Sequence, residues 1–280
     1  MPEMPEVETI RRNLAPHLIG RRIVGVDVLL PRQIALVTPE KFRTLCTGQE
    51  IKDVTRRGKY LLLQLISGNA VVIHLRMTGR LIYCPTGSLD DAYVRQVFHL
   101  DNGAALVFAD TRTFGRLYGV RPGDEDLIHG LATLGPEPLT PTFTEAYLWQ
   151  MCQRRKKGAI KALLLNQQVI AGLGNIYTDE ALFLAGIHPA RHPASLQRRE
   201  VARLYQAIND VLAAGIRDGG TTFRDYRNGE GSRGQHQQNL YVYHQQGQPC
   251  KRCGTIIAYT KLGGRGTHFC PHCQPPYPAG

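Results

Sequence analysis

Four cysteines near the end of the chain limit what it can fold into more than any other feature. Cys250-Lys-Arg-Cys253 and Cys270-Pro-His-Cys273 stand 16 residues apart, giving the pattern C-x2-C-x16-C-x2-C. Each close pair can set two thiolates on one tight turn, and the stretch between them has the length of a hairpin. Four thiolates complete the closed tetrahedral shell of a structural Zn²⁺, with no position left for a reactive water. Two disulfides are an alternative that an intracellular setting disfavours, and for an iron–sulfur site nothing else in the chain speaks. One structural zinc ion is therefore expected. Cys46, Cys84 and Cys152 lie scattered in apolar surroundings and read as packed thiols. Arg252, Lys261 and Arg265 fall on or beside the expected hairpin, where cations would suit a phosphate backbone or simply be solvated.

The 280 residues suffice for two domains. Residues 1–140 carry 17 basic against 15 acidic side chains, whereas residues 141–280 carry 17 against 8. The net charge of +11 is thus concentrated in the second half. Such a surface suits a polyanion, because each neutralised phosphate releases counterions. No run of about 18 uncharged apolar residues occurs, so no membrane partner or span is expected. The opening residues carry Glu3, Glu6 and Glu8 in place of a basic-then-apolar signal, and a soluble intracellular protein is expected.

Val7, Ile10, Leu14 and Leu18 recur at helical spacing, with Pro5 near the start and Gly20 able to end the helix. Short β-branched and aromatic runs then predict strands over 23–28, 59–66, 70–77, 94–100, 104–110 and 116–120, with a hairpin turn at Asp101-Asn102-Gly103. Closely spaced strands suggest a sandwich or barrel-like sheet. The Pro-rich stretch 135–144 reads as a linker between an N-terminal domain, 1–134, and the rest of the chain. Helices are predicted over 145–155, 159–166, 176–185 and 195–218, and 219–238 reads as a long loop closing a second domain, 145–238. The cysteine element occupies 239–280.

The first residues, Met1-Pro2-Glu3-Met4-Pro5-Glu6, invite a chemical reading. Removal of Met1 would expose the secondary amine of Pro2, and an α-amino group has a pKa of about 7.7–8.0 against about 10.4 for lysine. Such an amine can attack a sugar C1′ and form an iminium, and Glu3 and Glu6 could move protons and position it. Taken alone, Pro-Glu at a helix start is ordinary capping chemistry.

The chain resembles the bacterial formamidopyrimidine-DNA glycosylases, whose start is Pro-Glu-Leu-Pro-Glu-Val-Glu, with Met4 here in place of Leu. The resemblance runs through Arg-Arg-Gly-Lys59-Tyr, His74-Leu-Arg-Met-Thr-Gly79, Asp110-Thr-Arg-Thr-Phe-Gly-Arg116, Gly172-Leu-Gly-Asn-Ile-Tyr177, Gly219–Thr222 and the cysteine hairpin, covering nearly the whole chain. It implies an α+β protein: an N-terminal β-sandwich with flanking helices, then a helical domain with a helix–two-turn–helix motif and a four-cysteine zinc finger. It also implies a cytoplasmic monomer that binds double-stranded DNA carrying oxidised bases or abasic sites.

The chemistry implied is base flipping, attack by Pro2 on C1′, loss of the base, and β,δ-elimination. Glu3 matches the general acid/base, Glu6 the carboxylate that organises the N-terminus, and Lys59 a lysine near the phosphates and opened sugar. Met77, Arg112 and Phe114 match a trio that fills the hole left by the flipped base, although Met77 and Phe114 by themselves read as core residues. That trio speaks against the endonuclease VIII-type branch, whose members start Pro-Glu-Gly-Pro-Glu. Asn175 reads as a helix N-cap, and the resemblance adds phosphate binding there. His74, Lys161 and Arg265 match further DNA-contacting positions. Phe223, Arg224, Asp225 and Tyr226 lie in a loop that the resemblance implies can close over the flipped base.

Overall fold

A computed structural model describes residues 2–155 and 157–276. The described chain divides into two compact units, 2–132 with 215–237, and 133–214 with 238–276.

In the first unit, α1 (Met4–Leu18) opens the chain and its apolar stripe, Val7, Ile10, Leu14 and Leu18, is fully buried. Ile19 caps its end and Gly20 follows with φ +80°, the left-handed stop expected there. Two antiparallel sheets receive that stripe. One has the order β1-β7-β8-β6: β1 (Ile23–Val28), β7 (Val94–Leu100), β8 (Ala105–Asp110) and β6 (Gly79–Cys84). The other runs β2-β9-β5-β4-β3: β2 (Ile34–Ala35), β9 (Arg116–Val120), β5 (Ala70–His74), β4 (Tyr60–Leu65) and β3 (Ile51–Arg57), with only β2–β9 parallel. Val26, Phe98, Leu106 and Phe108 of the first sheet share one core with Val54, Leu61, Leu63, Val71, Ile73 and Leu117 of the second. The expected sandwich is therefore present. Two short helices, α2 (Pro39–Cys46) and α3 (His129–Ala132), complete this unit with the returning segment 215–237.

Glu8 ties α1 to β3. Its carboxylate accepts from Arg11 and Arg12 on its own helix and from Arg56 Nε at 3.1 Å. Burial alone would raise its pKa, but the three guanidinium partners prevail and hold it at about 2, down from the ordinary 4.5. A carboxylate depressed in the folded state stabilises above its unfolded pKa. That stabilisation is lost as the pH falls through the folded value. We expect Glu8→Gln to flatten the acid limb of a stability–pH curve between about pH 4.5 and 2. An unchanged limb by denaturant titration at stepped pH would remove Glu8 from acid unfolding.

The second unit is helical: α4 (Glu145–Arg154), α5 (Ile160–Leu164), α6 (Asn175–Ala185) and α7 (Arg198–Arg217), followed by the hairpin β10 (Ala258–Leu262) and β11 (Arg265–Phe269). Val201, Leu204, Ile208, Val211 and Leu212 form the buried face of α7. The division differs from the linear one expected. Residues 135–144 are no free linker, since Gly135 N–H donates to Gln167 O and Pro136 O accepts from Ala171 N. The loop expected to close the helical domain belongs instead to the first unit, where Thr221 and Tyr226 hydrogen-bond to α1. No helix among the described residues is long and apolar enough to cross a membrane.

Candidate active site and nucleic-acid interface

Pro2 is buried immediately ahead of α1, and Glu3, extended at φ −105° and ψ −171°, is the helix N-cap. Glu3 and Glu6 close a capping box, with Glu3 N–H donating to Glu6 Oε2 at 2.8 Å. The other oxygen, Oε1, accepts from Thr221 N–H at 2.8 Å. Glu6 therefore clamps the start of the chain and the root of the 219–226 loop with one carboxylate. Glu3 and Glu6 are 2% and 1% exposed, so both capping chemistry and burial act on the same short peptide.

Lys59 leaves the β3–β4 turn at Gly58, whose carbonyl accepts from Arg56 Nη1 at 2.8 Å. Its neighbour Tyr60 pairs with His74 across β4 and β5. Both Lys59 and His74 are 8% exposed, so Lys59 is largely buried rather than a solvated surface lysine. Burial first, then the charges of Arg76 and Lys59, push the His74 pKa down to about 3. The ring is neutral, and its Nδ1 accepts from Arg76 N–H at 3.0 Å. The proton therefore sits on Nε2, leaving a single donor there.

Met77, Arg112 and Phe114 are surface residues rather than core. Met77 is 39% and Phe114 52% exposed, and the Arg112 guanidinium lies 5.1 Å from the centre of the Phe114 ring. Both supporting loops contain a non-glycine residue in the left-handed region, Arg76 at φ +54° and Thr113 at φ +58°. Each costs on the order of 1–2 kcal/mol, so surrounding bonds must hold it.

The loop expected to act as a lid is divided. Phe223, Arg224 and Asp225 form an exposed tip, while Tyr226 is 8% exposed and belongs to the main core. Its hydroxyl donates to Glu6 O or Gly219 O, and burial and the Glu6 charge raise its pKa well above the ordinary value. Tyr226 is thus an anchor, because an aromatic ring with a satisfied hydroxyl is stable inside a core.

In the second unit, the helix start is shifted by one residue from expectation. Gly174 is the N-cap and Asn175 the first helical residue. Asn175 Nδ2 donates to Gly266 O at 3.0 Å, linking α6 to β11, whose first residue, Arg265, is exposed. Lys161, expected at the DNA surface, is 1% exposed. Its ammonium donates to Asp179 Oδ1 at 2.6 Å, Gly266 O at 2.8 Å and Thr267 Oγ1 at 3.0 Å. It is an internal strut under the hairpin, because a buried cation is tolerated only when its protons are matched. Asp179 also accepts from His268 N–H. The adjacent Glu180 takes the N–H groups of Tyr241, Val242 and Tyr243, each at 2.8 Å. Asp179→Ala should destabilise this unit by about 3–5 kcal/mol through the stranded ammonium. A shift below about 1 kcal/mol in urea denaturation would show that Lys161 finds other partners. Neither carboxylate stands out in the sequence, where Asp179-Glu180 reads as two polar positions on a helix.

The ligand sulfurs of Cys250, Cys253, Cys270 and Cys273 all lie within 4.8 Å of one another. The Cys250–Cys273 and Cys253–Cys270 separations are 3.9 and 3.5 Å. Tetrahedral Zn–S bonds of about 2.3 Å require sulfurs roughly 3.8 Å apart, so the set fits a structural metal ion. Arg252 N–H and Cys273 N–H each point at a sulfur at 3.4 Å, an arrangement that supports thiolates. Gln274 joins this knuckle to the end of α6, accepting from Cys270 N–H and donating to Ile187 O.

Three family models cover most of the chain: the formamidopyrimidine-DNA glycosylase N-terminal domain over residues 1–117, its H2TH domain over 134–227, and the zinc finger found in FPG and IleRS over 247–276. A formamidopyrimidine-DNA glycosylase of Pelotomaculum thermopropionicum is 48% identical, with 98% of this chain and 99% of the relative covered. The chain belongs to the formamidopyrimidine-DNA glycosylase family. Solved family structures agree over 98% of this chain and all of the other. The Lactococcus lactis Fpg complex with abasic-site DNA has a TM-score of 0.90 at 36% identity, and its complex with Fapy-dG-containing DNA has 0.89 at 35%. The family's helix–two-turn–helix region and zinc finger therefore correspond to α4–α7 and to the cysteine hairpin of this chain.

Proposed function

We propose that this chain is a bifunctional DNA glycosylase and AP lyase of base excision repair. It excises oxidised purines, 8-oxoguanine and formamidopyrimidines, from double-stranded DNA and cuts the strand by β,δ-elimination through a Schiff base on Pro2. The observation that supports this best is the buried Pro2–Glu3 peptide at the head of α1, clamped by Glu6. An amine there, freed of Met1, needs no general base above about pH 8, because it is already largely unprotonated. It bonds to C1′ as the C1′–N bond to the base breaks, and Glu3 supplies or takes the proton in these exchanges. The C1′–O4′ bond then breaks, with O4′ taking up a proton, to leave an iminium that acidifies C2′–H; loss of that proton expels the 3′ phosphate, and a second elimination releases the 5′ phosphate.

Lys59 and the Nε2–H of neutral His74 serve as donors to phosphate oxygens, with Asn175 and Arg265 as backbone contacts of the second unit. The exposed tip Phe223–Asp225 covers the flipped base, hinged on Tyr226. The metal ion is zinc, holding the Arg265 hairpin. The enzyme acts as a monomer in the cytoplasm, on the DNA of the nucleoid.

Incision of duplexes carrying 8-oxoguanine or thymine glycol, each opposite the four bases, tests the substrate class. Faster cutting of thymine glycol would overturn the purine assignment. Arg112 is the reader of the orphaned base, since its guanidinium makes no hydrogen bond to any described residue. Arg112→Ala should lower the preference for cytosine opposite the lesion by about tenfold, the worth of one bidentate pair. An unmoved opposite-base profile would remove that role.

A further inference from the structure

Asp110 closes β8, is fully buried, and pairs with no cation among the described residues. A lone carboxylate in such a place is costly unless its oxygens are hydrogen-bonded, and here both oxygens accept, two of the three bonds coming from the loops that carry the exposed trio. Oδ1 accepts from Thr78 Oγ1 at 2.6 Å, and Oδ2 from Gly115 N–H at 2.8 Å and Gln33 Nε2 at 2.9 Å. Thr78 Oγ1 in turn accepts from Arg112 N–H at 3.0 Å.

The circuit therefore runs from the Met77 loop, through one hydroxyl and one carboxylate, to both ends of the Arg112–Phe114 loop. Two glycines are required by it. A Cβ on Gly115 would lie 2.5 Å from Phe108 Cζ and 3.1 Å from Asp110 Oδ2, and a Cβ on Gly79 would lie 2.5 Å from Leu75 O. Thr113, the strained residue between Arg112 and Phe114, is braced from outside by Arg32 Nη2 at 2.7 Å.

We propose that Asp110 and Thr78 are positioning residues for opposite-base discrimination. By fixing the Met77 and Arg112–Phe114 loops to each other, they present the three side chains as one preorganised wedge. This rests on the reading of Arg112 given above. Neither residue touches DNA; both act through the backbone of the loops. A wedge ordered in advance spends its contacts on telling cytosine from other bases, whereas a loose one spends them on ordering itself.

The test is the ratio of single-turnover incision rates for 8-oxoguanine opposite cytosine and opposite adenine. A ratio within one variant cancels any loss of active protein. Thr78→Val keeps the shape and removes the hydroxyl, and should lower the ratio about fivefold or more, the worth of one ordinary hydrogen bond. Thr78→Ser restores the hydroxyl and should keep the ratio within about twofold. Asp110→Asn, which presents an amide to Thr78, should also lower it and serves should Thr78→Val fail to fold. If Arg112→Ala lowers the ratio while Thr78→Val and Asp110→Asn leave it alone, the circuit is structural only and the proposal fails. An equal fall in Thr78→Val and Thr78→Ser overturns it too, since methyl packing would then be the cause. If Arg112→Ala itself has no effect, the reading of the trio falls first and takes this inference with it.

Discussion

Pro2→Gly is expected to lower the yield of borohydride-trapped enzyme–DNA complex on lesion duplex by about 100-fold. A displacement of roughly 1 Å in an attacking group is worth that much. Glycine keeps an α-amine of similar basicity, so the loss would come from geometry rather than from proton availability. The pyrrolidine ring of Pro2 ties the amine nitrogen to its own side chain and fills a buried space ahead of α1; glycine does neither. The capping box of Glu3 and Glu6 and the Glu6–Thr221 bond use atoms that the substitution leaves in place, so the fold and the affinity for abasic-site DNA should persist. Trapping at the unaltered level, or a crosslink mapped by mass spectrometry to Lys59, would exclude Pro2 as the nucleophile.

Cys270→Ser should abolish metal binding and weaken binding to abasic-site duplex by at least about 100-fold. A structural zinc contributes apparent binding energy of about 10–16 kcal/mol to the folding of its module, and one missing thiolate forfeits much of it. The consequence reaches beyond the knuckle. The hairpin that the metal holds supplies Gly266 O and Thr267 Oγ1 to Lys161, and Gly266 O to Asn175. A loosened hairpin therefore leaves the Lys161–Asp179 pair incompletely satisfied and frees Arg265 and Asn175 from a common frame. Elemental analysis beside fluorescence anisotropy decides the matter. Metal-free protein that binds as tightly as the parent would confine zinc to a role remote from DNA.

Individual elements show why some of this can be read from the chain and some cannot. The α1 stripe, the strands β1, β7 and β9 and the helices α4 and α6 follow the predicted spans closely, because their apolar residues recur at periods that local geometry imposes. β3 lies outside the predicted strands: its sequence Ile51–Arg57 has only two apolar residues, and pairing with β4 makes it a strand. β6 escapes prediction for a related reason, opening on Gly79 and Arg80 and gaining its place from β8. The same blindness affects single residues. Tyr226 sits in a polar-looking stretch and Lys161 is a lone charge in an apolar one, and only distant partners, Glu6 for the first and Gly266 and Thr267 of β11 for the second, show how each is held inside. Met77 and Phe114 are the reverse case, apolar residues that periodicity would bury and that their loops hold outward.

The chain by itself determined the metal knuckle, the Pro-Glu helix start and the alternation of sheet and helix, since each depends on residues a few positions apart. Only the tertiary structure decided which charges stand exposed and which are internal struts, and which unit the 219–226 loop belongs to. Desolvation and hydrogen-bond satisfaction depend on what stands opposite a group in space, and for Asp110, Lys161 and Tyr226 that partner lies tens to hundreds of residues away.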